Sequence, residues 1–293
     1  MVDPRAFLEL IRPANCLMLG FSVVVGEFIA YRTVFLFPTV VGFLTGFLLC
    51  GASMANNDFL DRRVDAVNAP GRPIPSGRVS SNEAIGITVF LSTAGLTLAY
   101  VTGIACSVIA GLGLFLFLSY NFWGKRWGLL GNMMVSMGMV ISLVYGGFVG
   151  EAFTSSAGQS QNLLGLGRLT LFLFFGCMVF LSNTGREVNK GIADVEGDRL
   201  RGIKTVALQS GARVAAFVSV VFYTLAAAIS FLPWFLMLVS WPYLPIVIVA
   251  DVGFGASAFI LLRDHTKRNA LKVKRMVLLW MLLGQLAFVA GAL

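Results

Sequence analysis

Charged residues are scarce in this chain of 293 residues, since only 12% of its side chains belong to Asp, Glu, Lys or Arg. That share is about half of what a soluble domain usually carries. Hydrophobic residues make up 57% of the chain, and the mean hydropathy is +0.84. The length alone would suggest two soluble domains, but the long apolar runs outweigh that argument. The composition therefore predicts one polytopic, all-α membrane domain over residues 1–293.

Histidine and closely spaced cysteines are almost absent as well. His265 is the only histidine, and the cysteines stand singly inside apolar segments, at Cys16, Cys50, Cys106 and Cys177. Neither residue type shows the spacing of a zinc site or a disulfide framework, so we interpret the cysteines as small core residues. Charged residues precede the first apolar run, which argues against a cleavable signal peptide.

Long apolar runs, by contrast, are abundant. A membrane-spanning helix needs roughly 20 residues of low polarity, and nine segments of the chain meet that requirement. The sequence therefore predicts nine transmembrane helices in one bundle. The predicted spans cover residues 13–31, 37–57, 82–102, 104–122, 128–150, 167–186, 211–232, 236–262 and 271–292.

The net charge of +8 is distributed unevenly. With the N-terminus inside, all but Arg32 and Arg168 of the 22 Lys and Arg residues fall in or beside the inside segments. This bias follows the positive-inside rule and predicts a multi-pass protein of the cell membrane, with a cytoplasmic N-terminus and an outside C-terminus. It explains the basic composition without nucleic acid, for which the chain has no basic groove with interleaved aromatic residues.

The first dense group of polar residues, the first acidic motif, occupies residues 57–78. Its members Asn57, Asp61 and Asp65 are spaced i, i+4, i+8, so they share one face of a helix. Hard oxygen ligands on one face suit Mg²⁺, which in turn binds phosphate. Prolines and glycines then end the helix and form a loop that carries Arg72. The alternative is a charged loop that only sets the topology.

The second acidic motif occupies residues 186–205. Its Asp194 and Asp198 again stand one helical turn apart. Two sets of closely spaced carboxylates would repel one another unless divalent cations bridged by a diphosphate neutralised them. Basic side chains available for the phosphate oxygens include Arg72, Lys125, Lys190 and Lys204. The alternative is two independent loops with surface salt bridges.

Together the two motifs resemble the signatures of the UbiA superfamily of intramembrane prenyltransferases. The first contains Asn57-x-x-x-Asp61-x-x-x-Asp65, then Asn68 and Arg72-Pro73-Ile74-Pro75-Ser76-Gly77; the second contains Asp194-x-x-x-Asp198, then Gly202 and Lys204-Thr205. The resemblance covers nearly the whole chain. It implies nine helices, an active-site cavity that faces the cytoplasm, and Mg²⁺-dependent transfer of a prenyl group from a prenyl diphosphate to an aromatic or lipid-like acceptor.

Two further stretches resemble one subgroup, the archaeal digeranylgeranylglyceryl phosphate synthases. They are Arg12-Pro13-x-Asn15-Cys16-Leu17-Met18 and Arg186-Glu187-x-x-Lys190-x-x-x-Asp194-Val195-Glu196-Gly197-Asp198. Gly191 departs from that subgroup, in which we expect an acidic residue. The resemblance implies a geranylgeranyl donor and geranylgeranylglyceryl phosphate as acceptor, in the synthesis of archaeal ether lipids. Arg12 and the basic residues within 263–275 are candidate partners for the phosphate of this acceptor.

Other acceptors and another class of protein stay open at this point. The first motif is also similar to that of chlorophyll synthases, so an aromatic acceptor such as a quinone or chlorophyll precursor is an alternative. A transporter of a phosphorylated substrate would fit the topology. Against transport, the acidic motifs lie at one edge of the membrane and no charge ladder crosses the spans.

The expected roles of the site residues follow from the chemistry of diphosphate departure. Mg²⁺ and basic side chains stabilise the charge that develops on the leaving group, and a dry cavity protects the allylic fragment. The expected metal ligands are Asn57, Asp61, Asp65, Asp194 and Asp198, of which the four aspartates are catalytic. The expected substrate-binding residues are Asn15, Asn57, Asn68, Arg72, Lys125, Lys190 and Lys204. The expected partners are a prenyl diphosphate, a lipid-like acceptor and membrane lipids.

Overall fold

The computed structural model describes residues 3–32, 35–156, 166–200 and 202–293. Regular structure in these ranges is helical throughout, and nine of the described helices are long and apolar enough to cross a membrane. The all-α class and the number of spans are therefore confirmed. In chain order the helices are α1 (Pro4–Ile11), α2 (Pro13–Tyr31), α3 (Leu36–Asn68), α4 (Ser81–Thr102), α5 (Ile104–Phe122), α6 (Leu129–Ser156), α7 (Leu166–Leu200), α8 (Val206–Ser210), α9 (Ala212–Ser230), α10 (Leu232–Phe235), α11 (Tyr243–Arg263) and α12 (Lys267–Ala292).

The two spanning helices that carry the acidic motifs run farther than predicted. The prediction ends the second span at residue 57, whereas α3 continues to Asn68; it ends the sixth at residue 186, whereas α7 continues to Leu200. Hydropathy falls where the charged residues begin, but the backbone hydrogen bonds of a helix do not depend on side-chain polarity. Both acidic motifs therefore begin inside continuous helices, which fix the directions of their side chains.

One span begins later than predicted. The eighth span was expected from residue 236, but α11 begins at Tyr243. The intervening chain forms the short α10 and a turn in which Ser240 donates from its N–H and its hydroxyl to the carbonyl oxygen of Gly291, at 2.7 and 2.9 Å. These bonds satisfy polar groups that a continued helix would have satisfied internally.

The chain forms two compact units. One comprises Met1–Glu27, Thr33–Trp123 and Ile141–Gln161, and the other comprises Phe28–Arg32, Gly124–Val140 and Asn162–Leu293. The single domain expected over residues 1–293 stays a prediction.

The first unit contains a short N-terminal helix, α1, that the apolar runs do not predict. Asp3 caps α1, because its side chain accepts a hydrogen bond from the backbone N–H of Arg5 at 3.1 Å. Leu10 of α1 belongs to a buried cluster with Ala55 of α3. The helix ends at Ile11, and Arg12 after it adopts a left-handed backbone conformation with φ of 53°. This packing brings the end of α1 against the part of α3 that bears the first acidic motif.

Close contact between α2 and α6 also shapes the first unit. A Cβ atom added at Gly26 would overlap the carbonyl oxygen of Leu143, and one added at Gly146 would overlap that of Val23. Glycine at both positions therefore lets the two backbones approach each other, as small residues commonly do in membrane bundles.

The second unit is built around a buried contact of α7, α9 and α12. Val188 of α7, Ala215 and Tyr223 of α9 and Val277 of α12 belong to one buried cluster. The side-chain amide of Asn189 adds a hydrogen bond to the carbonyl oxygen of Ala270, at 3.0 Å. The packing holds the polar end of α7 beside the start of α12.

Candidate active site

The end of α3 carries the first acidic motif, and its carboxylates are buried. Asp58, Asp61 and Asp65 have relative exposures of only 3%, 8% and 2%. The side-chain amide of Asn57 donates to Asp61 at 3.3 Å and to Asp58 at 3.4 Å. The contact with Asp61 shows that these two predicted ligands lie on the same helical face. Buried carboxylates are costly unless positive charge neutralises them.

Arg72 supplies part of that charge. The loop after α3 folds back so that the Arg72 guanidinium lies 2.5 Å from Asp65 and 3.6 Å from Asp58. Burial works against a charged guanidinium, but the nearby carboxylates of Asp58 and Asp65 outweigh it and raise the pKa of Arg72 above its ordinary value. The structure thus brings Arg72 to the acidic face, as predicted, and bonds it there to a predicted metal ligand.

Asp58 is a residue of this site that the sequence analysis missed. Its buried carboxylate accepts a hydrogen bond from the Arg12 guanidinium and also interacts with Arg72. It does not belong to the i, i+4, i+8 series, so helical spacing alone does not select it. The sequence offers only two signals for Asp58: it is a carboxylate at the end of an apolar run, and Arg62 and Arg63 follow it closely.

Arg12 and Asn15 approach the same part of α3. The side-chain nitrogen atoms of Arg12 and Asn15 lie 3.7 and 3.8 Å from the sulfur of Met54, one turn before Asp58. Asn15 was predicted to bind substrate, and the structure places it beside the first acidic motif.

A cavity of about 400 Å³ opens within the first unit at this point. Its lining residues are Glu9, Arg12, Asp58, Ala69, Gly71, Arg72 and Pro73. Arg78 donates to Glu9 at 2.6 Å, and this hydrogen bond lowers the pKa of the Glu9 carboxyl below its ordinary value. The contact ties the arginine loop to α1.

The second acidic motif begins inside α7 with an ion-pair cluster. Glu187 is buried, and its two carboxylate oxygens bind Arg186 at 3.0 Å and Lys190 at 3.1 Å. Lys190 was predicted to hold phosphate oxygens, and here a carboxylate three residues earlier holds its ammonium group. One and two turns farther along, Asp194 is exposed, whereas Asp198 is buried.

The remaining predicted residues lie around the end of α7 and elsewhere. Lys204 is exposed and follows a turn at Gly202, whose φ is 64°. Lys125 is half-buried in a single turn of 3₁₀ helix, Gly124–Trp127. The side chain of Asn68 lies outside the described part of the structure. The basic residues predicted as one loop over 263–275 instead belong largely to the end of α11 and the start of α12.

The carboxylate oxygens of the two acidic motifs suit a Mg²⁺ ion that is bound by only a few protein ligands. Among the residues that the structure describes, no three His, Cys, Asp or Glu side chains converge into a ready-made metal cage. Mg²⁺ does not need one, because it usually takes one or two protein carboxylates and completes its shell with water and phosphate oxygens. Within the first unit Asp61, and within the second unit the exposed Asp194, each offer carboxylate oxygens of the kind that such a hydrated metal ion takes.

The membrane-spanning helices and the two acidic motifs define an intramembrane prenyltransferase. Residues 19–283 match the profile of the UbiA prenyltransferase family, and the chain belongs to that family. It is therefore an enzyme and a multi-pass integral membrane protein.

Named relatives match the chain over its full length. It is 34% identical over 300 residues to the digeranylgeranylglyceryl phosphate synthase of Methanosarcina barkeri, with 98% of each chain covered. It is 36% identical over 289 residues to the enzyme of the same name from Methanopyrus kandleri, which covers 99% of this chain and 100% of that one.

Solved structures agree with this assignment. A structure described in work on digeranylgeranylglyceryl phosphate synthase in membranes has a TM-score of 0.74 and 27% identity, and 98% of each chain is covered. A UbiA homologue from Archaeoglobus fulgidus, bound to DMAPP and Mg²⁺, has a TM-score of 0.66 and 17% identity, over 96% of this chain and 98% of that one. The second likeness shows the fold alone.

Proposed function

We propose that this enzyme transfers a geranylgeranyl group from geranylgeranyl diphosphate to geranylgeranylglyceryl phosphate, a step in archaeal ether-lipid synthesis. The observation that carries the proposal is full-length similarity to two relatives that bear the name of that reaction's enzyme. The stretches 12–18 and 186–198, which resemble the same subgroup, support the acceptor in particular.

The reaction exchanges one C–O bond for another. The bond between C1 of the prenyl chain and the diphosphate oxygen breaks, and the electron pair leaves on the diphosphate. The hydroxyl oxygen of the acceptor then bonds to C1 and loses its proton. Mg²⁺, when bound, stabilises the negative charge that develops on the leaving group.

The acidic residues of the two motifs are assigned to metal binding. We assign one Mg²⁺ ion to Asn57, Asp61 and Asp65 of the first motif and a second to Asp194 and Asp198 of the second motif, because all five side chains offer oxygen donors. The matched chemistry of the two motifs supports a role for each in binding diphosphate.

Basic and polar side chains bind the substrates. We assign the diphosphate oxygens to Arg72, Lys125 and Lys204, and a role beside the substrate to Asn15 and Asn68. Arg72 is bonded to Asp65 at 2.5 Å, so a diphosphate competes with that carboxylate for the guanidinium. Asp65 can offer both carboxylate oxygens to a metal ion only when Arg72 leaves it and binds the phosphate instead.

The charge bias supports a cytoplasmic site and N-terminus, with the C-terminus outside. Single cysteines introduced by Ser76→Cys and Trp241→Cys test this orientation, because both positions are exposed. An impermeant thiol reagent added to the cytoplasmic side should label only the first; the opposite labelling would reverse the topology.

The acceptor is tested by product analysis with the purified enzyme in vesicles. Radiolabelled geranylgeranyl diphosphate and Mg²⁺ are supplied with either geranylgeranylglyceryl phosphate or an aromatic quinone precursor. The proposal predicts a lipid product only with the phosphoglyceryl acceptor. A prenylated aromatic product alone would overturn it.

A further inference from the structure

The second unit holds an unusual concentration of positive charge near the centre of α7. Arg186 and Lys190 both bind the buried carboxylate of Glu187, at 3.0 and 3.1 Å. Lys274 of α12 is half-buried and interacts electrostatically with all three. Three cations therefore share one buried carboxylate. Asp194 is also within electrostatic range, but it is exposed, so water screens its charge.

The three cations are half-buried, so water screens their excess positive charge only in part, and an anion would balance it. At the first motif negative charge is in excess, because three buried aspartates face the two arginines Arg12 and Arg72. The first motif thus suits a cation, and the cluster on α7 suits an anion. Glu187 is already engaged by two cations, so the cluster repels a metal ion.

Two donors in or beside the cluster have no partner among the described residues. They are the Nε atom of Arg186 and the hydroxyl of Tyr223 on α9. Tyr223 is only 1% exposed, and its hydroxyl interacts electrostatically with Arg186 and Glu187. Buried N–H and O–H groups nearly always have partners in native proteins. Both groups donate hydrogen bonds, which is what the oxygens of a phosphate accept.

We propose that Arg186, Lys190, Lys274 and Tyr223 bind the phosphate of the phosphoglyceryl acceptor. The charge matches, because a phosphate monoester carries about −1.5 to −2 at neutral pH, close to the excess that the cluster holds. The diphosphate of the donor is a poorer fit, since its charge is offset by Mg²⁺ at the aspartates. The inference rests on the proposed function, which supplies an acceptor that carries a phosphate.

The position of the cluster along α7 agrees with separate sites for the acceptor phosphate and the donor diphosphate. Lys190 precedes Asp194 by one helical turn, which is about 6 Å along the axis. A phosphate held at Lys190 therefore lies one helical turn from Asp194, on the side away from Asp198. Two phosphate-bearing substrates can then be bound through neighbouring turns of one helix.

The decisive variants are Lys274→Met and its control Arg213→Met. Both remove one positive charge from the second unit, but Arg213 at the start of α9 is exposed and lies outside the cluster. Loss of one charge-assisted contact to phosphate should raise the KM for geranylgeranylglyceryl phosphate about tenfold or more. The KM for geranylgeranyl diphosphate should change less than about twofold. Arg213→Met should leave both values unchanged.

Conservative variants separate binding from folding. Lys274→Arg keeps the charge and should retain most of the affinity for the acceptor. Tyr223→Phe removes only the hydroxyl and should raise the acceptor KM about two- to tenfold. An unchanged acceptor KM in both Lys274→Met and Tyr223→Phe would overturn the inference, and so would a rise confined to the donor KM.

A binding measurement distinguishes failure of this inference from failure of the proposed function. Calorimetry with glycerol 1-phosphate tests the cluster without any prenyl transfer. Binding to the unaltered enzyme that is lost in Lys274→Met and kept in Arg213→Met supports the phosphate site, even if the enzyme prenylates another acceptor. Absence of binding to the unaltered enzyme, or equal binding to both variants, contradicts it.

Discussion

The guanidinium of Arg12 bonds to the buried carboxylate of Asp58, although the two residues stand 46 positions apart in the chain. The contact joins the end of α1 to the acidic face of α3, where Arg72 also reaches Asp58. The first motif is therefore not a property of α3 alone. The N-terminal helix supplies one of the charges that allow its aspartates to be buried.

Loss of one partner of this pair should destabilise the protein. Arg12→Met leaves Asp58 with less compensation, and we expect a cost of about 1–3 kcal/mol in the free energy of unfolding, because Arg12 is partly exposed. The double variant Arg12→Met/Asp58→Asn should recover part of that loss. Thermal unfolding in detergent measures both, and strictly additive effects would show that the pair is not coupled.

The exposed aspartate of the second motif should matter for turnover rather than for folding. Asp194→Asn should lower kcat/KM by about 100-fold or more while leaving the melting temperature unchanged, since it removes a proposed ligand of the Mg²⁺ ion that would stabilise the departing diphosphate. Glu196→Gln is the matched control, because Glu196 is equally exposed on the same helix but off the aspartate face. Equal activity of the two variants would remove Asp194 from the site.

Arg72 should govern the affinity for the donor. Arg72→Met removes a guanidinium that the proposal assigns to the diphosphate, and the KM for geranylgeranyl diphosphate should rise about tenfold. Arg78→Met, in the same loop, should leave that KM unchanged, because Arg78 is bound to Glu9. Steady-state kinetics with saturating acceptor distinguishes them, and identical effects of the two changes would argue for a general effect of the loop.

Glycine at the crossing of α2 and α6 should be required for packing. Gly146→Ala places a Cβ where the carbonyl oxygen of Val23 lies, so the helices must separate, at an expected cost of about 1–3 kcal/mol. Gly86→Ala is the control, since its Cβ would meet open space and alanine favours the helix. A melting temperature unchanged in Gly146→Ala would show that the crossing adjusts freely.

The sequence predicts those features of this protein that depend on local spacing. Apolar runs predict the spans, and the interval of four residues predicts that Asn57 and Asp61 meet on one face. The burial of Asp58 depends on Arg12, which only the tertiary fold brings near, and so spacing could not reveal it. Lys190 shows a different difficulty: Glu187 is within local reach, but its partnership also requires the burial that α9 and α12 provide.

The central claim is that the acceptor hydroxyl attacks C1 of the prenyl diphosphate, and an isotope measurement tests it most directly. Geranylgeranylglyceryl phosphate with ¹⁸O in its free hydroxyl is incubated with the enzyme, geranylgeranyl diphosphate and Mg²⁺. The masses of the products are then measured by mass spectrometry. The account predicts a doubly geranylgeranylated glyceryl phosphate that retains ¹⁸O, together with unlabelled diphosphate. Absence of that lipid, or ¹⁸O in the released diphosphate, would contradict it.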